Sequence, residues 1–290
     1  MERGKRSYRR GNWAKVENYL KGRGRGRDSR PQLTPAQLEE RSLVLERAWH
    51  YFRECADSSR TAQTYAAQRG LDVKHLEIGF NDGDLLFALP DLRKDARRFG
   101  LVKQMRGNKS PAFGSNSLVF ALRRGDGSIG GLYFRALHNR HGKHLYLKQR
   151  TGLYPHWPAP DTRRLLIAES VIDAATVLMH PFLSRDFTVL AIYGTSGFNA
   201  EHEQAIKQLR QPEEIVLALD GDKAGKLGMT KIAQRIKLLQ PQVLLSDANL
   251  PHNDDPNGVA VSYGIDVLHK LIQTRTPLET SRKPLYRSAG

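Results

Sequence analysis

From residue 163 onward, short apolar runs alternate with amphipathic stretches at regular spacing. The pattern predicts strands near 163–169, 187–193, 214–220 and 242–246, with helices near 171–180, 200–210, 224–239 and 257–274. Strand and helix in alternation imply right-handed crossovers and a mostly parallel sheet covered on both faces. Sites in such a fold form at the carboxyl ends of strands.

Upstream the pattern differs. Thr34-Pro35-Ala36-Gln37 supplies a capping hydroxyl, a first-turn proline and a reciprocal Gln, so a helix is expected from there to about Ala56. Leu38, Leu45, Ala48, Trp49 and Phe52 form its inner stripe, with Glu39, Glu40, Arg41, Glu46 and Arg47 outside. A second helix near 60–69 should stop at Gly70. Residues 71–157 read as short strands and turns: 117–122 and 129–135 flank an Asp126-Gly127 step that predicts a hairpin, and another strand is expected over 143–148. Pro158-Ala159-Pro160 marks the change of pattern. The expected organisation is therefore a tail over 1–30, a helical segment with a basic α+β subdomain over 31–157, an α/β domain over 158–275 and a C-terminal tail over 276–290.

Charge adds a partner class. The chain has 290 residues and a net charge of +16, and residues 1–30 supply half of it through eleven Lys and Arg against three acids. That segment alternates basic residues with Gly and has too little apolar surface to offset its ordering entropy, so a mobile tail is expected, either a phosphate-binding arm or a solubilising, unstructured end. A field of this sign favours a polyanion, and without an amphipathic basic helix nucleic acid fits better than a membrane. Arg123, Arg124, Arg135, Arg140, Lys143, Lys148 and Arg150, interleaved with Tyr133, Tyr146 and Tyr154, suit a nucleic-acid groove or else a solvated sheet face with a few packed tyrosines. Cys55 is the single cysteine, which excludes an internal disulfide or a cysteine-based zinc module and fits a reducing cytoplasm. His138, His141 and His144 are spaced as zinc ligands, but neighbouring cations disfavour a metal there and no zinc is expected.

The chemistry lies in the acids. Glu169 and Asp173 close one apolar run, and Asp220 and Asp222 close another. Close carboxylate pairs repel by roughly 4 kcal/mol at an effective dielectric near 20, so four of them in one mouth need a cation or shared protons. Their hard oxygens suit Mg²⁺ or Mn²⁺. Each also has a plainer explanation: Asp173 is favoured in a first helical turn and Asp222 can cap the next helix. Asp254 and Asp255, in the loop after the last strand, can serve a second ion or make turn and cap hydrogen bonds.

The element from Glu169 to Asp173, followed by Asp220-Gly221-Asp222-Lys223-Ala224-Gly225, resembles the TOPRIM domain shared by DnaG-type primases, topoisomerases and some nucleases. The resemblance implies a Rossmann-like domain in which Glu169, Asp220 and Asp222 are catalytic and hold divalent ions together with Asp173 and Asp255. Leu76-Glu77-Ile78-Gly79-Phe80, Phe99-Gly100-Leu101, Gly131-Leu132-Tyr133-Phe134-Arg135 and the stretch from Leu145 to Tyr154 are similar to the basic subdomain of primases. By that likeness Arg135, Lys143 and Lys148, with Arg150 and Lys223, face template or nucleotide. Ser170, where primases commonly have Gly, departs from the pattern.

The resemblance implies primer synthesis from nucleoside triphosphates on a single-stranded DNA template. Neither the zinc module nor the helicase-docking domain of cellular primases is expected here. That arrangement leaves their roles to a helicase or a separate zinc-binding protein, and suits a plasmid, phage or transposable element. A TOPRIM nuclease and a non-catalytic single-strand-binding protein are the alternatives.

Overall fold

Thr34 opens the first helix as its sequence requires. In the computed structural model, residues 33–103, 111–138 and 144–279 are described; the basic segment 1–30, Lys143 and His141 lie outside them. Helix α1 (Pro35–Ser58) starts with a reciprocal cap: Gln37 N–H donates to Thr34 Oγ1 at 3.3 Å, and Thr34 N–H donates to Gln37 Oε1 at 2.9 Å. It buries Leu45, Ala48, Trp49 and Phe52. Arg41, expected outside, is instead 2% exposed, and its guanidinium donates to the carbonyls of Lys148 and Gln149. Helical periodicity cannot foresee such a contact, because it depends on two carbonyls more than 100 residues away. Ser59 ends α1 and caps α2 (Arg60–Gln68), which stops at Gly70 in a left-handed conformation (φ +66°).

Strands β1 (Gly79–Asn81), β2 (Ser117–Arg123), β3 (Ile129–Ala136) and β4 (His144–Tyr146) form an antiparallel sheet in chain order. The expected hairpin joins β2 to β3. The segment read as strands and turns also holds two short helices, α3 (Leu85–Ala88) and α4 (Arg93–Arg98). They are too short to show a period, and the apolar contacts of Leu85, Ala96 and Phe99 hold them in place.

The second sheet comprises β5 (Arg164–Ala168), β6 (Thr188–Ala191), β7 (Glu214–Ala218), β8 (Leu244–Asp247) and β9 (Thr276–Pro277), in the order β6-β5-β7-β8-β9. All pairs are parallel except β8–β9. Alternation along each strand sorts the core. Leu165, Ile167, Ile215 and Leu217 face α7 (Ala200–Lys207) and α8 (Lys223–Leu239). Leu166, Ala168, Val216 and Ala218 face α5 (Val171–Met179), α9 (Pro256–Tyr263) and α10 (Ile265–Gln273). Each fully buried Leu or Ile contributes about 1.5–3 kcal/mol.

The same core continues into Ile78, just before β1, and into Leu118, Phe120 and Tyr133 of the first sheet, while Val119, Ala121, Leu132 and Phe134 on its other face meet α1. The antiparallel sheet is thus clamped between α1 and the α/β layer, within one compact unit that begins at Thr34. Among the described residues, no helix is long and apolar enough to cross a membrane.

Three expectations need correction. The helix over 257–274 is two helices, broken at Gly264 (φ +98°). An additional helix, α6 (Pro181–Asp186), follows α5, started by Pro181 and the accepting ring nitrogen of His180. The expected tail from 276 begins instead with β9, held by an ion pair at its base. Glu214 accepts from Arg275 Nε at 2.6 Å and from Arg275 NH2 at 2.7 Å, and Ser246 Oγ donates to it as well. The Arg275→Ala variant leaves that buried carboxylate only Ser246 and the longer contact from Arg164 at 3.4 Å, and is expected to lose about 2 kcal/mol of stability, measured as a lower urea midpoint with an unchanged slope.

Candidate active site

β5 and β7 are neighbours, yet the chain reaches β7 only after crossing to β6 on the other side of β5. Their carboxyl ends therefore open a crevice where the connections diverge. Ala168 pairs with Ala218, so Glu169 and Asp220 emerge side by side. Glu169 Oε2 accepts from the Asp220 N–H at 3.3 Å. Asp222 caps α8, accepting from Gly225 N–H at 2.7 Å.

The glycines of this stretch permit the approach. A Cβ at Gly221 would sit 1.9 Å from the Pro251 carbonyl oxygen, and one at Gly225 would sit 2.0 Å from that of Asp220. Gly221 N–H also donates to the Asp254 carbonyl at 2.8 Å, which ties this turn to the loop that carries Asp255.

Asp173 is 3% exposed and completes a capping box with Ser170, whose N–H lies 3.2 Å from its Oδ2. Its Oδ1 accepts from Asn257 N–H at 3.2 Å. Asp255 caps α9 through Gly258 N–H. The plainer roles allowed for Asp173, Asp222 and Asp255 are thus all present, alongside their convergence.

That convergence has an electrostatic signature. Burial, then Glu169, Asp173 and Asp255, push the Asp220 carboxyl up to about 8. Burial and Asp255 raise Asp173 to about 7 despite its bonds from Ser170 and Asn257. Glu169 is also raised, chiefly by burial, against the backbone N–H groups of Asp220 and Thr195. Asp220 Oδ1 is buried with no hydrogen-bond partner among the described residues. An orphaned carboxylate oxygen among other hard oxygen donors fits a divalent cation. As they stand, no three His, Cys, Asp or Glu side chains among the described residues are grouped closely enough to hold one.

A cleft of about 360 Å³ holds Glu169, Asp173, Asp220 and Asp255 on one side. Arg135, His144, Tyr146 and Tyr193 face them. Arg135 is 5% exposed and donates from Nε to Tyr65 at 3.2 Å; its NH1 lies 2.6 Å from His144 Nε2. Arginine can only donate, so Nε2 accepts and Nδ1 gives its proton to the Tyr133 oxygen at 2.8 Å. Arg150 lies over the rings of Tyr146 and Tyr193, at 4.3 and 5.3 Å.

Of the residues singled out in the sequence, Asp222 acts on Glu169 and Asp220 through its charge, and Arg150 stacks on Tyr146 and Tyr193, but neither lines the cleft. Lys148 and Lys223 are exposed and do not line it. Arg69, His144, Tyr193 and Asn257 line it without having been singled out as site residues. His144 carried only a zinc signal and Arg69 only a helix-end signal; their convergence is long-range.

The fold and the acid crevice define an α/β domain with its carboxylates at the switch point of a parallel sheet, packed against an antiparallel sheet. Residues 166–260 match the Toprim-like family. The chain is 27% identical to the DNA primase of Rickettsia typhi over 86% of its own length and 44% of that protein, and 24% identical to the Haemophilus influenzae DNA primase over 75% and 39%. It spans under half the length of these primases. Among solved structures, the DnaG primase catalytic domain bound to ssDNA superposes with a TM-score of 0.68 at 18% identity, covering 84% of both chains. The Aquifex aeolicus primase, comprising zinc-binding and RNA polymerase domains, gives 0.68 at 18%, covering 83% of this chain and 62% of that one. This chain has the fold of a DnaG-type primase catalytic core with a Toprim-like domain.

Asp220 binds its proton more tightly in the fold than its ordinary value of 3.8. Its contribution to stability is therefore full below that value and is lost as pH rises through about 8. In metal-free protein, Asp220→Asn is expected to raise Tm near pH 9 by about 2–4 °C per kcal/mol of relieved repulsion, and to change it little near pH 5. Calorimetry in chelator at both pH values checks this.

Proposed function

We propose that this chain is a primase core that joins nucleotides on a single-stranded DNA template. The observation that carries the reading is the orphaned Asp220 oxygen among acids facing an arginine-lined wall across one cleft. Glu169, Asp220 and Asp222, with Asp173 and Asp255 behind them, are the residues that would hold Mg²⁺ or Mn²⁺. Such ions, when bound, supply neutralisation of triphosphate charge and a lower pKa for an attacking 3′-hydroxyl.

The side chains divide the remaining work. Arg135 is positioned by Tyr65 and His144 to orient phosphate oxygens, and Arg150 adds charge above the tyrosine wall. The rings of Tyr146 and Tyr193 exclude water from that side. Glu169, with its affinity for protons raised by burial, is suited to accept the proton of the 3′-hydroxyl. The exposed Lys148 and Lys223 would serve the template backbone outside the cleft.

Asp220→Ala and Asp222→Ala are each expected to lower nucleotide incorporation at least about a hundredfold while leaving binding of single-stranded DNA intact. Incorporation of labelled triphosphates, run beside a strand-nicking assay, checks this. Nicking without incorporation would assign the site to a nuclease, and wild-type protein inert in both assays with Mg²⁺ and Mn²⁺ would leave a binding protein. Deleting residues 1–30 is expected to flatten the salt dependence of DNA affinity, since eleven of the cations sit there; titrations at several salt concentrations give the slope.

A further inference from the structure

A second groove, of about 390 Å³, runs between α2 and α9. Tyr65, Gln68 and Arg69 form one wall, and Gly258, Val261 and Ser262 the other. It shares Arg69, Asp255 and Asn257 with the acid cleft, so whatever lies in it ends at the acids.

We propose that this groove receives the 3′-terminal nucleotide of the strand being extended, with Arg69 holding that nucleotide's phosphodiester. The proposal deepens the primase reading and rests on it. Strand extension brings two substrates to one centre from two sides, and charge tells the sides apart. The first cleft is lined by both Arg135 and Arg69, with Arg150 stacked on two of its lining tyrosines, which suits the several charges of a triphosphate. The residues lining the groove add no cation to the shared Arg69, and a nucleotide within a strand carries one phosphate charge.

Arg69 is built in rather than loosely displayed. Its NH1 donates to Asn257 Oδ1 at 3.0 Å, and Asn257 Nδ2 donates back to the Arg69 carbonyl at 2.9 Å. Asn257 is 2% exposed and also donates from Nδ2 to Thr176 Oγ1 and from its backbone N–H to Asp173. No carboxylate of the described residues forms an ion pair with Arg69. A guanidinium fixed on two helices, with charge to spare, is pre-organised for an anion. Gln68 and Ser262 on the rim can hydrogen-bond sugar hydroxyls, and Val261, 52% exposed, offers the ribose an apolar contact.

The test uses the full chain and an oligoribonucleotide ending in 4-thiouridine at its 3′ terminus, annealed to a DNA template. Photocrosslinks are expected in peptides from α2 or α9; crosslinks confined to other segments, or none, overturn the proposal. Ser262→Trp fills the groove from an exposed position outside the core. It is expected to raise KM for the annealed strand by about tenfold and to leave KM for the triphosphate within about twofold. An unchanged KM for the strand, or equal rises in both, overturns the proposal. Arg69→Ala is expected to reduce the salt slope of strand binding by about one, and an unchanged slope counts against it. The two readings fail separately. An active wild-type enzyme with crosslinks elsewhere sinks the groove alone, whereas crosslinks in the groove of an inactive protein sink the primase reading and leave a strand-end binding site.

Discussion

Like charges at the carboxyl edge of the parallel sheet set the terms for the rest of the molecule. Glu169, Asp173 and Asp220 all bind protons more tightly than isolated carboxylates do, because burial and one another's charge oppose ionisation. The fold supports this arrangement with backbone partners for four of the five acids: the Asp220 N–H for Glu169, Ser170 and Asn257 for Asp173, Gly225 for Asp222 and Gly258 for Asp255. Asp220 Oδ1 has none among the described residues. Repulsion that packing holds in place can be relieved by proton uptake, or would be by a cation, so the raised proton affinity and the strain of the ionised cluster have one origin.

Holding acids together requires rigid supports on every side, and the shared core supplies them. The antiparallel sheet packs one face on α1 and the other on the α/β layer, so Arg135 on β3 is fixed opposite acids from β5 and β7. Asn257 performs the same service at the other rim. Its amide and backbone join the end of α2 to the start of α9 and to Asp173 and Thr176 on α5. Gly221 and Gly225 let two backbones approach more closely than any side chain would allow.

Much of this was legible along the chain. The apolar runs before Glu169 and Asp220 are strands, and the capping signals at Thr34 and Asp222 are caps. The elements that escaped were of two kinds. α3, α4 and β1 are too short to display a period, and neighbours hold them. Arg41 and Arg275 look like surface charges by local pattern and become structural through partners far away in sequence. Gly264 lies within an apparently continuous helical stretch, and only its left-handed conformation reveals the break.

The sequence by itself determined where strands end and which acids follow them, because hydrophobic periodicity and turn chemistry act over a few residues. Which cations face those acids was decided by tertiary structure. Arg135 and Arg69 line the cleft while Lys148 and Lys223 do not, although all four are basic residues. Strand register, the burial of Arg135 and the lock of Asn257 on Arg69 make that choice, and each depends on segments brought together only when the two sheets share a core.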